Sequence, residues 1–418
     1  MYEQLADRPV VQKYGGTSVG SVEKIKALAQ RIKRLHVSGI KKIAIVVSAM
    51  SGETNRLVAL VEETNPEASR KNFDMAVAAG EQVSVALLAS ALEAEGLRSE
   101  GFLAFQLGIK TDDLHARARI QEIAATKIFA AWQDDIIPVI AGFQGVTSSG
   151  AITTLGRGGS DTSAVALAVA LDAGFCEINT DVDGVYTADP RIVKEARLNP
   201  LMDFETALEM ASLGSKVLHP RCVELGAKYS MPIVVRNSFK SDQSARTIIM
   251  NFNEKQKLEA PVVSGVTAVK DVARMTLQHL PRGGTVLADI FKLLAEKGIN
   301  IDIIVQNLTE GSDAMRLGFT LERSQLTKAR SAIEQWLKTS AHSGAQIESE
   351  EKLAKVSIVG LGMQSHPGVA SRCFSLLSSE GIDIKMISTS EIKVSCVIEE
   401  GQVEKACQAL HEGFLGTD

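Results

Sequence analysis

The run TLGRGGSDTS, from Thr154 to Ser163, combines a glycine-rich turn, an arginine and an aspartate directly before an apolar helical segment. Glycines allow backbone amides to approach a ligand closely, and the start of a helix presents unpaired N–H groups and a positive dipole. The guanidinium of Arg157 suits a carboxylate or a phosphate. A tight turn with a surface arginine is the alternative, but Arg157 and Asp161 together favour an anion-binding site.

A second glycine-rich turn lies near the start of the chain, in the sequence KYGGTSVGS. Lys13 would stand at the end of a strand, with Gly15 and Gly16 at the mouth of the following helix, so the segment is typical of a phosphate cradle with its own counter-ion. It matches neither GxxxxGK[ST] nor GxGxxG, which argues against a Walker-type NTPase and a nicotinamide dehydrogenase.

The composition bounds the class of protein. A chain of 418 residues is expected to form two or three domains. Its net charge of -5 is dispersed, which argues against a nucleic-acid partner, and we find no uncharged apolar run of the roughly 18 residues that a membrane span needs. The five cysteines lack metal-ligand spacing and the N-terminus lacks an export signal, so we expect a soluble cytoplasmic protein.

Short apolar runs alternate with helical stretches from Val10 to about Phe239, which is typical of βαβ units around a mostly parallel sheet. The predicted strands are VVQKY from Val10, IAIVVSAM from Ile43, IIPVIAGF from Ile136, FCEINTD from Phe175 and PIVVRNS from Pro232. Segments such as VEKIKALAQRIKRL and MAVAAGEQVSVALLASALEAEG have the apolar spacing of helices. Because ligands bind beyond the carboxyl ends of such strands, we expect their polar and glycine-rich ends to form one binding rim.

The last third of the chain contains an internal repeat. A polar stretch from Asn251 to Pro261 predicts a linker. Beyond it, Phe291 aligns with Phe374 and Gly298 with Gly381 at one offset of 83 residues, together with four further apolar pairs. We interpret this as two copies of a small α+β domain that serves ligand sensing or association, with plain structural duplication as the alternative.

The chain resembles the aspartate kinases of the amino acid kinase superfamily over essentially its whole length. The motifs that carry the resemblance, in the family's order, are KYGGTSV, VVSAM with SGETN, AAGEQVS, GFQG, TLGRGGSDTSA, NTDVDGVYTADPR, GSKVLHPR and SHPGVASRCFSLLSSEGIDIKMISTSEIKVSCVI. The resemblance implies an amino acid kinase fold over residues 1–250, a mostly parallel open sheet sandwiched by helices. Two α+β ACT domains would follow, over residues 262–340 and 350–418.

The activity that the resemblance implies is transfer of the γ-phosphoryl group of MgATP to the side-chain carboxylate of L-aspartate. The product would be an acyl phosphate, the first committed intermediate toward lysine, threonine and methionine. An aspartate side chain with a pKa of about 3.9 is already ionised at neutral pH, so the nucleophile needs no general base. Catalysis then consists mostly of aligning two anions and neutralising the transferred charge.

The resemblance also assigns residues to the phosphate and to the acceptor. Lys13 would contact the transferring phosphate, and Asp161 would orient Lys13 and the metal-phosphate end, or cap the helix. Arg157 would bind the α-carboxylate of aspartate and Glu81 its α-ammonium, although an isolated glutamate on such a helix is more often exposed. The remaining residues expected around the phosphate and the acceptor are Gly15, Gly16, Ser48, Thr54, Gly158, Gly159 and Ser160.

For the nucleotide, the turn DGVYTADPR offers an aromatic face and a guanidinium that can meet adenine, ribose and phosphate, although simple turn chemistry operates there as well. Lys216 resembles the family's second phosphate-binding lysine and would share the catalytic role, whereas we interpret His219 as structural. The expected nucleotide residues are Lys13, Tyr14, Gly15, Gly16, Thr180, Asp181, Tyr186, Arg191 and Lys216.

The ACT resemblance implies feedback by lysine, threonine or both. The effector would lie at the loop before the first ACT helix and at the strand containing Val305, Gln306 and Asn307. Many relatives carry an acidic residue before a Pro-Gly turn in this loop, where this chain has LPRGGT from Leu280, so a natural partner for an effector's ammonium is absent. ACT pairing implies at least a homodimer, and an internal start such as Met250 would yield a separate regulatory subunit.

Three alternatives remain open at the level of the sequence. The first alternative is another amino acid kinase with a different acceptor such as glutamate. The second is a catalytically silent amino-acid sensor, and the third is a dehydrogenase with regulatory ACT domains. Arg157 and Glu81 favour the aspartate branch. The joint presence of Lys13, Asp161 and Lys216 argues against a silent sensor, and the missing GxGxxG argues against a dehydrogenase.

Overall fold

The computed structural model describes residues 8–240, 245–253, 261–308, 314–339 and 344–416. The chain forms two compact units. The first comprises Met1–Tyr186 and Arg197–Glu259, and the second Thr187–Ala196 and Ala260–Asp418. The segment Thr187–Ala196 thus departs from the continuous catalytic domain 1–250 that the sequence suggested. The expected linker lies mostly outside the described residues, because these omit 254–260.

The first unit is built around a large, mostly parallel sheet and a small second sheet. The strands of the large sheet are β1 (Val10–Tyr14), β2 (Ile43–Val47), β3 (Arg98–Phe102), β6 (Ile136–Ala141), β9 (Phe175–Thr180), β10 (Leu201–Met202), β11 (Ile233–Asn237) and β12 (Arg246–Ile249), and those of the small sheet are β4 (Lys110–Thr111), β5 (Ile120–Glu122), β7 (Gln144–Val146) and β8 (Ile152–Thr154). The large sheet has the order β10-β12-β11-β9-β1-β2-β6-β3, and only the β11–β12 pair is antiparallel.

The five strands predicted from apolar runs are confirmed as β1, β2, β6, β9 and β11. Every residue of β1 and β2 is buried, because helices cover both faces of the sheet. The helices of this unit are α1 (Val22–Val37), α2 (Glu53–Thr64), α3 (Arg70–Val77), α4 (Ala79–Ala94), α5 (Thr126–Gln133), α6 (Gly159–Ala170), α7 (Phe204–Ser212) and α8 (Pro220–Tyr229). The large sheet therefore forms the core of an α/β unit, as the sequence predicted.

Local sequence explains where the helices around the site begin. Ser21 caps α1 by accepting a hydrogen bond from the amide of Lys24. His219 caps α8 in the same way, and Pro220 occupies the first helical position, where its missing N–H costs nothing. The helical stretch predicted from Met75 onward is divided at Ala78, between α3 and α4.

One segment, Arg70–Ala94, is long and apolar enough by length and composition to cross a membrane, and half of its most apolar window is buried inside the protein. In the fold it is α3 followed by α4. Val85, Leu88 and Leu92 of α4 pack in the hydrophobic core beside the strands of the large sheet. The apolar character of this segment is therefore explained by its position as a core helix.

The second unit is built on a six-stranded sheet. Its strands are β13 (Gly265–Pro281), β14 (Ile301–Leu308), β15 (Ala314–Glu322), β16 (Gln346–Val359), β17 (Met386–Thr389) and β18 (Lys393–Glu399), in the order β14-β15-β13-β16-β18-β17. Its α-helices are α9 (Gly284–Glu296), α10 (Leu326–Thr339), α11 (Val369–Ser379) and α12 (Val403–Leu415), and short 3-10 helices span Arg323–Gln325, Leu361–Ser365 and Glu400–Gln402.

The two repeats are joined by shared strands. The second half of β13 pairs with β15 and the first half of β16, whereas the first half of β13 pairs with the second half of β16, which pairs with β18. Two hydrophobic cores follow this division, one around Phe319 and the other around Val356. The second lobe thus includes the first half of β13, and the first lobe includes the start of β16 from Gln346, so the lobes differ in their boundaries from the segments 262–340 and 350–418 that we expected to be separate domains.

The repeat seen in the sequence appears in the backbone at its two aligned glycines. Gly298 follows α9 with φ 69° and Gly381 follows α11 with φ 68°, so both adopt the left-handed conformation that ends a helix. The segment Thr187–Ala196 packs on the second lobe. Its Thr187 carbonyl accepts a hydrogen bond from the amide of Val266 at 2.7 Å, and its Ala188 and Val193 are buried in the core around Val356.

Candidate functional site

The register of the large sheet aligns the carboxyl ends of five strands. Tyr14 of β1 lies opposite Val47 of β2 and Asn179 of β9, Val47 lies opposite Ala141 of β6, and the next residue of β9 pairs with the end of β11. The residues that follow these strands therefore share one edge of the sheet, as the sequence predicted. Most of the expected site residues lie on or beside this edge.

Lys13 and Asp161 form an ion pair at this edge. The Lys13 Nζ and Asp161 Oδ1 atoms are 2.6 Å apart, and the side chains are 11% and 12% exposed. Asp161 lies in the first turn of α6, while the capping position belongs to Gly158, which offers no side-chain hydrogen bond. Asp161 is therefore not the helix cap. The positive end of α6 and the Lys13 ammonium lie at the same place, an arrangement that suits an anion.

The turn after β1 is packed too closely for a side chain at Gly16. A Cβ atom on Gly16 would lie 2.8 Å from the carbonyl oxygen of Ala49, and one on Gly15 would lie 3.4 Å from Lys13 Nζ. The backbone of this turn therefore approaches both the lysine and the end of β2. The amide of Ser48 donates to the carbonyl of Tyr14 at 3.1 Å, which holds the two strand ends together.

Glu81 is buried, in contrast to the exposed position usual for a glutamate in a helix. It lies in the first turn of α4, is 2% exposed, and its Oε1 accepts a hydrogen bond from the amide of Ala49 at 3.0 Å. Its Oε2 is buried and has no hydrogen-bond partner among the described residues. Burial raises the pKa of this carboxyl to about 7. An orphaned buried carboxylate oxygen indicates a place for a cationic ligand group.

Arg157 has the opposite character. Its side chain is exposed and makes no ion pair with any part of the chain that the structure describes. Ser48 and Thr54, the hydroxyl residues expected in the same pocket, are half-buried, the first directly after β2 and the second in the first turn of α2. Arg157 is thus available to an external anion.

The glycine run after Arg157 fits closely against its surroundings. Gly158 has φ 68°, and a Cβ atom there would collide with the ring and Cβ of His219. A Cβ atom on Gly159 would lie 2.8 Å from the Phe143 ring, and Ser160 packs against Gly142 at the end of β6. Burial lowers the pKa of His219, with the Asp161 charge opposing, so the imidazole is a neutral cap and spacer.

The residues expected at the nucleotide are less closely grouped. Thr180 donates to the carboxylate of Asp181 at 3.2 Å at the end of β9. The Tyr186 hydroxyl donates to Asp183 Oδ2 at 3.3 Å, and Lys240 pairs with the same oxygen at 2.7 Å. Burial and the neighbouring Asp183 raise the pKa of Tyr186, so its hydroxyl is neutral. The hydrogen bond to Asp183 holds the ring at its hydroxyl end.

Two further cations expected at the nucleotide are exposed. Lys216 is exposed between α7 and α8, without an ion pair to any described residue. Arg191 belongs to the second unit, pairs with Asp189 at 2.7 Å, and its side chain is 80% exposed. Their contact with a nucleotide stays a prediction.

The expected effector residues lie on β14, an edge strand of the second unit's sheet. Val305 is half-buried, and Gln306 and Asn307 are exposed. Gln306 donates to the sulfur of Met315 at 3.2 Å. Leu280, next to the last residue of β13 and before α9, is fully buried, so this chain has an apolar side chain of the core where an acidic residue was expected in relatives.

Sequence reasoning did not identify the buried polar residues that support this edge. Arg31 of α1 donates to Glu177 at 2.9 Å and to the Asn179 side chain at 2.8 Å. Asp74 of α3 is fully buried and bonded to residues of two other segments, the loop of His115 and Ala116 and the end of β8. Asp74 and Arg31 lie on helices where charged residues are usually exposed, so their spacing carried no signal.

The close approach of Gly158 to His219 leads to a prediction about stability. We expect Gly158→Ala to destabilise the first unit by more than the roughly 1 kcal/mol that a left-handed alanine costs, because the added methyl also collides with His219. The matched control is Gly150→Ala, with φ 81° and nothing within 4 Å of the added Cβ. Urea unfolding of both variants measures the difference, and equal losses would contradict the collision.

Comparison with known proteins places this geometry in a family. Residues 8–237 match the model of the amino acid kinase family, and residues 356–414 match an ACT domain model. An aspartate kinase of Pseudomonas putida is 45% identical over 406 residues, covering 97% of each chain.

Two solved structures of Escherichia coli aspartokinase III, each 26% identical, cover 97% of this chain and are themselves covered to 99%. The complex with aspartate and ADP (R-state) superposes with a TM-score of 0.77, and the complex with lysine and aspartate (T-state) with 0.73. Similarity of this extent in sequence and fold, together with the aligned strand ends, leads to one assignment. The chain belongs to the aspartate kinase family, within the amino acid kinases that carry C-terminal ACT domains.

Proposed function

We propose that the protein transfers the γ-phosphoryl group of ATP to the side-chain carboxylate of L-aspartate, giving 4-phospho-L-aspartate. The observation that carries this proposal is the buried Glu81 carboxylate, with an unpartnered oxygen, at the same strand edge as the Lys13–Asp161 pair. The Glu81 carboxylate suits an ammonium group, and the Lys13–Asp161 pair suits a phosphate. An amino acid that carries its own ionised carboxylate joins the two.

The acceptor is held by opposite charges at its α-carbon. Glu81 binds the α-ammonium, and Arg157 binds the α-carboxylate in the bidentate geometry that guanidinium allows. The half-buried hydroxyls of Ser48 and Thr54 and the backbone from Gly158 to Ser160 complete the pocket. The side-chain carboxylate of the bound aspartate then faces the phosphate. It needs no general base, because it is already ionised at neutral pH.

The phosphate is held by Lys13, by the amide of Gly16 and by the positive end of α6, whereas the expected Gly15 amide donates to the carbonyl of Asn179 at 3.3 Å. Lys13 neutralises charge on the transferred group, and Asp161 keeps the lysine in place. Thr180, Asp181, Tyr186, Arg191 and Lys216 are our proposed contacts to the rest of the nucleotide. These groups act by position and charge, as phosphoryl transfer requires.

Magnesium fits this donor set as an ion that arrives on the nucleotide. The described residues contain no group of three or more His, Cys, Asp or Glu side chains that would hold a metal. Mg²⁺ commonly uses one or two carboxylates together with substrate phosphates. Asp161 and Asp181 provide carboxylates at the edge formed by the carboxyl ends of the strands. When bound, the ion would neutralise phosphate charge.

We further propose that lysine, threonine or both regulate the enzyme at the ACT lobes, at the strand of Val305, Gln306 and Asn307. The lysine complex of the Escherichia coli enzyme supports lysine as a candidate. We also propose a homo-oligomer, at least a dimer through the ACT lobes, partnership with a separate regulatory subunit, and a cytoplasmic location. All five cysteines are free and buried, which suits a reducing compartment.

The reaction is tested by trapping the acyl phosphate with hydroxylamine, using aspartate or glutamate as acceptor, with lysine and threonine added in parallel. We expect product with aspartate. Arg157→Ala should raise the KM for aspartate about 10- to 150-fold, the range for a lost charged hydrogen bond, and leave the KM for ATP nearly unchanged. Arg8→Ala, which removes an exposed ion pair with Asp172, is the control. Equal losses for both substrates in Arg157→Ala would contradict the acceptor role.

From the Lys13–Asp161 pair we predict variants in which the free energy of unfolding recovers but turnover does not. Lys13→Met leaves a buried carboxylate unpaired and should lower the free energy of unfolding by about 3 to 5 kcal/mol. Lys13→Met combined with Asp161→Asn should recover most of this stability in urea unfolding, while turnover stays lost in both. Recovery of turnover in the double variant would refute the phosphate role of Lys13.

The raised pKa of Glu81 predicts a pH dependence of acceptor binding. Below pH 7 the carboxyl becomes neutral and no longer pairs with an ammonium ion, so the KM for aspartate should rise about tenfold between pH 8 and pH 6. Glu81→Gln should bind aspartate weakly at both pH values without this slope. The measurement uses saturating ATP, and an unchanged slope in Glu81→Gln would assign the titration to another group.

A further inference from the structure

We propose that Asp74 is a positioning residue that holds Arg157 at its working distance from Glu81, acting through Thr154. This inference rests on the proposed function, because it takes Arg157 and Glu81 as the two ends of the amino-acid clamp. Asp74 itself lies on α3 and is fully buried, so it contacts neither solvent nor substrate.

The position of Asp74 along the chain connects it to Glu81. Asp74 lies seven residues before Glu81, and α3 leads through the single residue Ala78 into α4, whose first turn carries Glu81. A displacement of α3 would therefore be passed to the glutamate.

The hydrogen bonds of Asp74 connect it to the other end of the clamp. The Thr154 hydroxyl donates to Asp74 Oδ1 at 2.6 Å, and Thr154 is the last residue of β8, three residues before Arg157. Thr154 is buried, so no water competes for this bond. The Arg157 turn thus begins at a residue bonded directly to α3.

A second route runs through the loop before β5. The amide of Ala116 donates to both Asp74 oxygens, at 3.1 and 3.0 Å, and His115 Nδ1 lies 2.7 Å from Oδ2. Ala116 has φ 67°, a conformation that is unfavourable for alanine and persists only where its surroundings enforce it. Its carbonyl oxygen would lie 3.0 Å from a Cβ atom on Gly156, the residue directly before Arg157.

Arg221 also contacts the same turn. Its guanidinium donates to the carbonyls of Leu155 at 2.9 Å and Ala118 at 2.7 Å. Thr154, Leu155 and Gly156 are therefore each held by a buried or half-buried contact, whereas Arg157 itself is exposed. The backbone before Arg157 is fixed, and only its side chain is free to close on a ligand.

The test uses Thr154→Val, which removes one hydroxyl without changing the size of the residue and leaves Asp74 bonded to Ala116 and His115. The control is Thr153→Val, because the buried Thr153 hydroxyl pairs with Thr111 at 2.7 Å and does not contact Asp74. We expect Thr154→Val to raise the KM for aspartate about 3- to 10-fold with an unchanged KM for ATP, and Thr154→Ser to restore it. Thr153→Val should change neither constant.

A double-mutant cycle shows whether the effect passes through Arg157. In an Arg157→Ala background, Thr154→Val should cause no further rise in the KM for aspartate. Full additivity, or an equal effect of Thr153→Val, would overturn the positioning role. Calorimetric titration with aspartate repeats the comparison without catalysis. A wild-type chain that binds aspartate and yields no acyl phosphate would overturn the proposed function while leaving the positioning role open to this same measurement.

Discussion

The parallel register of five strands is the constraint on which the first unit depends. Because β11, β9, β1, β2 and β6 run in one direction and pair in step, their carboxyl ends meet at one edge. Each strand delivers a different group there, among them the lysine of β1 and the hydroxyl that follows β2. A slip of one residue in any pair would turn its side chains to the opposite face. The pairing of the strands therefore determines which residues come together at this edge.

A buried ionic cluster stabilises this register. Glu177 of β9 accepts from Arg31 of α1 at 2.9 Å and from Gln12 of β1 at 3.4 Å, and Arg236 of β11 lies 4.0 Å away. Buried charges are costly unless paired, so this cluster tolerates only one arrangement of α1 and the three strands. The glycine turn that we propose for the phosphate lies between β1 and α1, and the cluster contacts both of these elements.

The sequence carried enough information to predict the central strands of the first unit, because apolar runs are a local signal. Glycines beside Lys13 and Arg157 led us to expect two anion sites, and the structure brings Lys13 and Asp161 together at the shared strand edge. What the sequence did not reveal depends on pairing between distant segments. Examples are the bonds of Asp74, the burial of Glu81, and the exchange of strands between the ACT lobes. The assignment of Thr187–Ala196 to the second unit belongs to the same class.

The contrast between Glu81 and Arg157 bears on how the enzyme selects an acceptor. Glu81 is buried with one unpartnered oxygen, whereas Arg157 is exposed, so the two ends of the clamp differ in preorganisation. A dicarboxylate without an amino group would leave the Glu81 oxygen buried and unpaired, and sites built around such a bond reject the deficient analogue strongly. Arg157 loses side-chain freedom when it binds, which offsets part of its gain. With the roles that we propose for these two residues, selectivity for an amino acid over a plain diacid rests mainly on the glutamate, while the arginine contributes affinity for the α-carboxylate.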